Sequence, residues 1–187
     1  MYRISCASIE QPLRQCEIVS GLIRVRLSAA SIGADPVLDS IVHLYSIIVT
    51  QDCDLTQDFT SRFSPSTNRT IPNILFCEVT TATDLFGKLG GKQKEWEREK
   101  IDKNKNERYH FLQRIDANAD TEQTGIEELG IDFKRYFTIP TDEVYERIRI
   151  GQAKRRTILA SPYLEHFSCR FAYYLSRIGL PTDHITE

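Results

Sequence analysis

Apolar positions along the chain fall first into β-type runs and only near the end into a helical spacing. The stretch CEIVSGLIRVRLS at 16–28 mixes β-branched residues with partial alternation around Gly21, which predicts a bent or bulged strand. The most hydrophobic run, IVHLYSIIV at 41–49, is nearly continuous and predicts a central strand buried on both faces. A polar stretch with two prolines at 56–72 reads as a loop, and NILFCEVTTA at 73–82 as a third strand. RYHFLQRI at 108–115 and IDFKRYFTIP at 131–140 predict two more strands with an acidic loop between them. Beyond them the period changes. Leu164, Phe167, Phe171, Leu175 and Ile178 recur at steps of three or four and predict an amphipathic helix over 162–178, with Ser161 and Pro162 at its start and Gly179 and Pro181 as its stop. The segment TDEVYERIRIGQAKRR ahead of it is a candidate for a short helix.

These elements predict a mainly β protein, with a barrel domain at 1–140 and a helical segment at 141–187 packed on it. Residues 87–108 differ in kind: eight Lys or Arg stand against five Asp or Glu, which reads as a mobile, partly helical charged insertion. With 187 residues, 41% of them hydrophobic, the chain can bury one proper core. A formal net charge of −2 excludes a global basic field, so nucleic-acid binding requires local patches. No apolar run reaches the length of a membrane span and the first residues lack the apolar core of a secretion signal, so a cytoplasmic protein is expected. Five scattered cysteines without C-x-x-C spacing predict reduced thiols rather than a disulfide framework or a zinc knuckle.

The chemistry-bearing motif is Asp52-Cys53-Asp54, directly after the hydrophobic run, with Asp58 beyond it. A thiol nucleophile at Cys53 needs a base such as His110 and an orienting carboxylate, Asp52 or Asp54, yet the flanking carboxylates disfavour the thiolate. The aspartates do not make a calcium loop, since Gln57 and Phe63 stand where such a loop needs glycine and glutamate. Cys53, Cys77 and His110 are of zinc-ligating type, but no spacing specifies a site; no metal and no cofactor is expected. Turn capping by the aspartates is the plain alternative. Basic side chains interleaved with aromatics suit single-stranded nucleic acid: Arg62 and Arg69 after the D-C-D motif, and Lys92, Lys94 and Arg98 in the insertion near Trp96, Tyr109 and Phe111. Metal-free RNA cleavage would then use His110 with Asp52 or Asp54 as acid and base. His43, His166 and His184 read as structural or exposed, and Lys154-Arg155-Arg156 as a phosphate contact or plain surface.

Gln51-Asp52 after a hydrophobic strand, the R-F-S-P at 62–65 and the apolar strand NILFCEVTT at 73–81 resemble the PemK/MazF-like toxins, with GLIRVRL where that family's first strand lies. The resemblance implies an SH3-like small barrel, a single-stranded RNA substrate and a homodimer. The position of the family's catalytic arginine is nearest to Tyr45, and that of its catalytic hydroxyl residue is Asn73. The chain also resembles bacterial proteins that share the Q-D-C-D motif, the RYHFL strand and the terminal SPYLEHFSCRFAYYLSRIGLP helix. Two functions stay open: a nucleic-acid-binding, RNA-cleaving protein of toxin or defence type with a non-standard active site, or a non-catalytic interaction module that meets a partner protein through the C-terminal helix or a strand edge.

Overall fold

The computed structural model describes residues 1–5, 8–29, 33, 35–63, 68–89 and 94–177, including all side chains but those of Lys94 and Trp96. Cys6, Ser64 and Pro65 of the R-F-S-P motif, Lys92, Ile178, Gly179, Pro181 and His184 lie outside the described residues. Among the described residues no helix is long and apolar enough to cross a membrane.

The protein is mainly β. Strands β1 (Tyr2–Ile4), β2 (Glu17–Leu27), β3 (Leu38–Ile48), β4 (Asn73–Thr81), β5 (Tyr109–Leu112), β6 (Leu129–Pro140) and β7 (Lys154–Leu159) form one antiparallel sheet in the order β1-β7-β2-β3-β4-β6-β5. Its edge strands, β1 and β5, are not paired with each other, so the sheet is not closed. Helices α1 (Asp52–Arg62), α2 (Ala82–Gly87), α3 (Lys94–Asp102), α4 (Thr141–Arg149) and α5 (Tyr163–Ser176) cover it.

The sheet buries both faces. On one, Ile18, Ile47, Val79, Ile131 and Phe133 pack with Phe167 and Phe171 of α5; on the other, Val19, Leu22, Ile48, Phe76 and Phe137 pack with Leu55 of α1 and Val144 and Ile148 of α4. A smaller cluster of Leu85, Phe86, Ile101 and Phe111 closes α2 and α3 onto β5. Helix α3 of the charged insertion is therefore anchored, with Ile101 fully buried. Strict alternation would send Val19 and Leu22 to opposite faces. Gly21, at φ +76, bends β2 so that both reach one core, and a Cβ there would meet the Gln152 carbonyl oxygen at 2.6 Å.

Three expectations need correction. Residues 52–62 are a helix and not the start of a loop, because the inward positions of α1 are Leu55, Asp58 and Ser61 and the apolar period is lost there. The run 41–49 is not buried on both faces. Only Ser46–Ile48 are fully enclosed on β3, because β4 pairs with it from Tyr45 onward, whereas Val42 and Leu44 stand 68% and 59% exposed. Lys154-Arg155-Arg156 opens β7, where only Lys154 is at the surface, paired with Glu122, and Arg155 and Arg156 are buried in ion pairs with Glu17 and Asp120. Arg155 also donates to the carbonyls of Ser8, Gln11 and Pro12, which ties the N-terminal loop to the sheet. Helix α5 begins at Tyr163 with no side-chain cap from the preceding residues.

Candidate functional site

The D-C-D motif opens α1. The Asp52 carboxylate accepts two bonds from the Arg14 guanidinium, at 3.0 and 2.7 Å, and one from the Gln15 N–H at 2.6 Å. Burial works against its charge, but these donors win and hold its pKa below the usual carboxylate range. With Asp54 it also sits in the first turn, where a helix favours negative charge. Cys53 is exposed, its sulfur 3.6 Å from Gln51 Oε1 and 3.7 Å from Asp54 Oδ1. Among the described residues Cys53 has no cationic or imidazole partner, and no contact joins Asp52, Cys53 or Asp54 to His110. The catalytic set expected from sequence is not assembled; Asp52 instead fastens α1 to the N-terminal loop.

Of the residues expected to contact nucleic acid, Arg62 lies on α1, Arg98 on α3 and Arg69 on the connection to β4. Arg62 is spent on buried Asp58, at 2.7 and 3.0 Å, and on Asp142, while its guanidinium lies 5.1 Å over the Tyr145 ring. Arg98 lies 4.7 Å over Phe86 and 3.9 Å from Asp102. Arg69 is exposed on the connection to β4. Arg108, Arg135, Arg147, Arg149 and Lys154 are each paired with a carboxylate as well.

His110 has different company. On β5 opposite Ile131, it is buried, with its ring centroid 5.6 Å from that of His166 and 5.2 Å from that of Phe167. One turn beyond His166 on α5, Arg170 donates through Nε to His110 Nδ1 at 3.1 Å. Since Nδ1 accepts, the ring proton of neutral His110 is on Nε2. Arg170 spends its other donors on the carbonyls of Asn104, Asn106 and Tyr109, with no carboxylate among these partners. Burial, then the Arg170 charge, then His166 push the His110 pKa down to about 3, and burial and Arg170 lower that of His166. Both imidazoles are neutral near pH 7. They line a cleft of about 210 Å³ with Lys103, Asn104, Gln113 and Tyr163. His166 and Arg170 were not singled out in the sequence as partners of His110; their i, i+4 spacing on a helix was the available signal.

The second unusual surface is the β2–β3 hairpin. Its register pairs Ile23 with Val42, Val25 with Ser40 and Leu27 with Leu38, so these residues and Leu44 share one face. Leu38 is 67% exposed, and Val25, Leu27, Val42 and Leu44 are all exposed. The opposite face is fixed: His43 stacks on Phe137 at 4.0 Å, Arg24 lies 5.2 Å over the same ring and Arg26 meets Asp39 at 3.8 Å. One side thus holds the hairpin to the body, and the other presents a contiguous apolar ladder. A scan against protein-family models finds no match for this chain, and searches of curated proteins and of solved structures find no similar protein.

Proposed function

We propose that the chain is an interaction module that docks a partner protein on the apolar face of the β2–β3 hairpin. The observation that carries this reading is the exposure of Leu38, Val42 and Leu44 beside Val25 and Leu27 on one ordered ladder. Contiguous apolar surface of this kind marks contact with another molecule, and each such side chain taken fully out of water contributes about 1.5–3 kcal/mol. The docking face lies on the hairpin rather than on α5, whose Phe167 and Phe171 are used by the chain's own core. The toxin-type barrel ancestry belongs to the same proposal; the bent β2 and the consecutive antiparallel pairing of β2, β3 and β4 support it.

The test is selection from a displayed peptide library against the purified chain, repeated with Val42→Lys/Leu44→Lys. Ligands that bind the parent and lose at least about tenfold in affinity with the double variant, which should keep its circular dichroism spectrum, support the reading. Selection of no ligand, or of ligands indifferent to the double variant, overturns it.

A second reading is favoured by the histidine cleft: metal-independent cleavage of single-stranded RNA. In it, His166 takes the 2′-hydroxyl proton, the 2′-oxygen attacks phosphorus, and the 5′-oxygen leaves with a proton from solvent. His110 Nε2–H donates to a phosphoryl oxygen. Cleavage of a single-stranded oligonucleotide that falls at least about a hundredfold in His166→Ala and survives in Asp52→Ala and Cys53→Ser supports it. Cleavage independent of His166 removes it.

A further inference from the structure

The pocket between the N-terminal loop, α1 and α4 is not part of the histidine cleft or the hairpin, and Arg62 and Phe63 of the R-F-S-P motif line it. It measures about 420 Å³ and is walled chiefly by Ile9, Phe59, Phe63 and Tyr145. That volume lies within the range of small-ligand sites, roughly 300–1,000 Å³. The rings are set edge to face, Phe59 to Phe63 at 5.1 Å, with Tyr145 tilted 6.2 Å from Phe59. Charge around them is unbalanced. The Arg149 guanidinium is occupied by Glu146 at 2.7 and 2.6 Å, and Arg62 is shared between two carboxylates, Asp58 and Asp142. Glu10, positioned by its own N–H on Ser8 Oγ at 3.0 Å, lines the same pocket and has no cationic partner among the described residues. Three carboxylates, Glu10, Asp142 and Glu146, thus line the site with two guanidinium groups, Arg62 and Arg149, around an apolar aromatic floor, and a fourth carboxylate, Asp58, is buried against Arg62.

We infer that this pocket binds a small organic cation with an apolar stem, of the diamine type, its stem against Phe59 and Phe63 and its ammonium at Glu10. The physical reasons are complementary. Carboxylates in excess of their cations attract positive charge and repel anions, and aromatic faces stabilise a nearby cation while accepting a hydrocarbon chain. Arg62 over Tyr145 shows the same preference satisfied within the chain. A neutral ligand would leave the Glu10 charge without a counter-ion, and an anion would add to it. The inference is independent of the hairpin reading.

Cadaverine is the probe, titrated into the full chain by calorimetry and followed on the aromatic proton resonances, with 1,5-pentanediol and glutarate as neutral and anionic counterparts. Saturable cadaverine binding that moves the Phe59, Phe63 and Tyr145 signals is expected, with no saturation by the other two. Glu10→Gln and Phe63→Ala, both at exposed positions and checked for an unchanged unfolding midpoint, should each weaken cadaverine at least about tenfold. Absence of saturable cadaverine binding, equal binding of the diol, or parent-like affinity in both variants overturns the proposal. Saturation by a lysine-containing peptide without saturation by cadaverine also overturns it and marks a peptide surface instead.

Discussion

At the scale of single residues, His110 makes the clearest statement about pH. The unfolded chain takes up a proton on this side chain below its ordinary pKa, near ~6.5, whereas the folded chain does not until about 3. Stability is thus fully present above the unfolded value and falls as pH drops between the two, by up to about 1.4 kcal/mol per pH unit from this one group. Replacing His110 with Gln should flatten the urea midpoint against pH over 6 to 4; an unchanged slope would place the titration elsewhere. Gly21 is the other informative residue. Gly21→Ala should lower stability by about 1–3 kcal/mol from backbone strain alone, and more if the Gln152 carbonyl cannot move, as read by the urea midpoint. The glycine was legible in the sequence as a bend in a strand. The partners of Asp52 and His110 were not, because Arg14 is 38 positions from Asp52 and Arg170 is 60 from His110. No local pattern encodes such meetings.

At the scale of elements, the hairpin and α5 behave in opposite ways. Phe171→Ala should cost about 3–5 kcal/mol, since the ring is buried against Phe133 and Tyr136. Val42→Lys should stay within about 0.5 kcal/mol in thermal or urea unfolding, because that side chain faces solvent. A large loss from Val42→Lys would mean that the ladder is held against the body after all. The apolar run at 41–49 was visible from its composition, but composition alone does not say whether a hydrophobic strand meets its own core or a different molecule. Helix α1 escaped recognition because its buried face is held by the Asp58–Arg62 pair as much as by Leu55, so hydrophobic periodicity is weak. Strand β7 was hidden for a related reason: two of its inward positions are arginines whose carboxylates, Glu17 and Asp120, come from distant segments.

At the scale of the whole molecule, ion pairs set the response to acid. Asp52, Asp120 and Asp132 are each partly or wholly buried, which opposes their charge, yet Arg14, Arg156 and Arg108 lower their pKa values below the ordinary range. A carboxylate with a lowered folded pKa stabilises the fold above its unfolded value, near ~4, and loses that contribution as pH falls through the folded one. Thermal midpoints should therefore decline below about pH 4 and recover on return to neutrality. Arg108→Met should lessen the decline by removing the donor to Asp132. The mainly β character was readable from the strand runs. The sheet order was not, since β7 inserts between β1 and β2 from the far end of the chain.

The apolar ladder on β2 and β3 has a practical consequence for anyone who purifies the protein. Sulfate and phosphate salts are excluded from protein surfaces and strengthen apolar contact, so they should drive the isolated chain out of solution at concentrations that ordinary proteins of this size tolerate. The same ladder lies along the outer side of Leu38–Leu44, beyond the reach of β4, and offers newly made chains a place to adhere to one another. If the ladder docks a partner as proposed, co-production with it would show itself first as yield and clarity of the lysate.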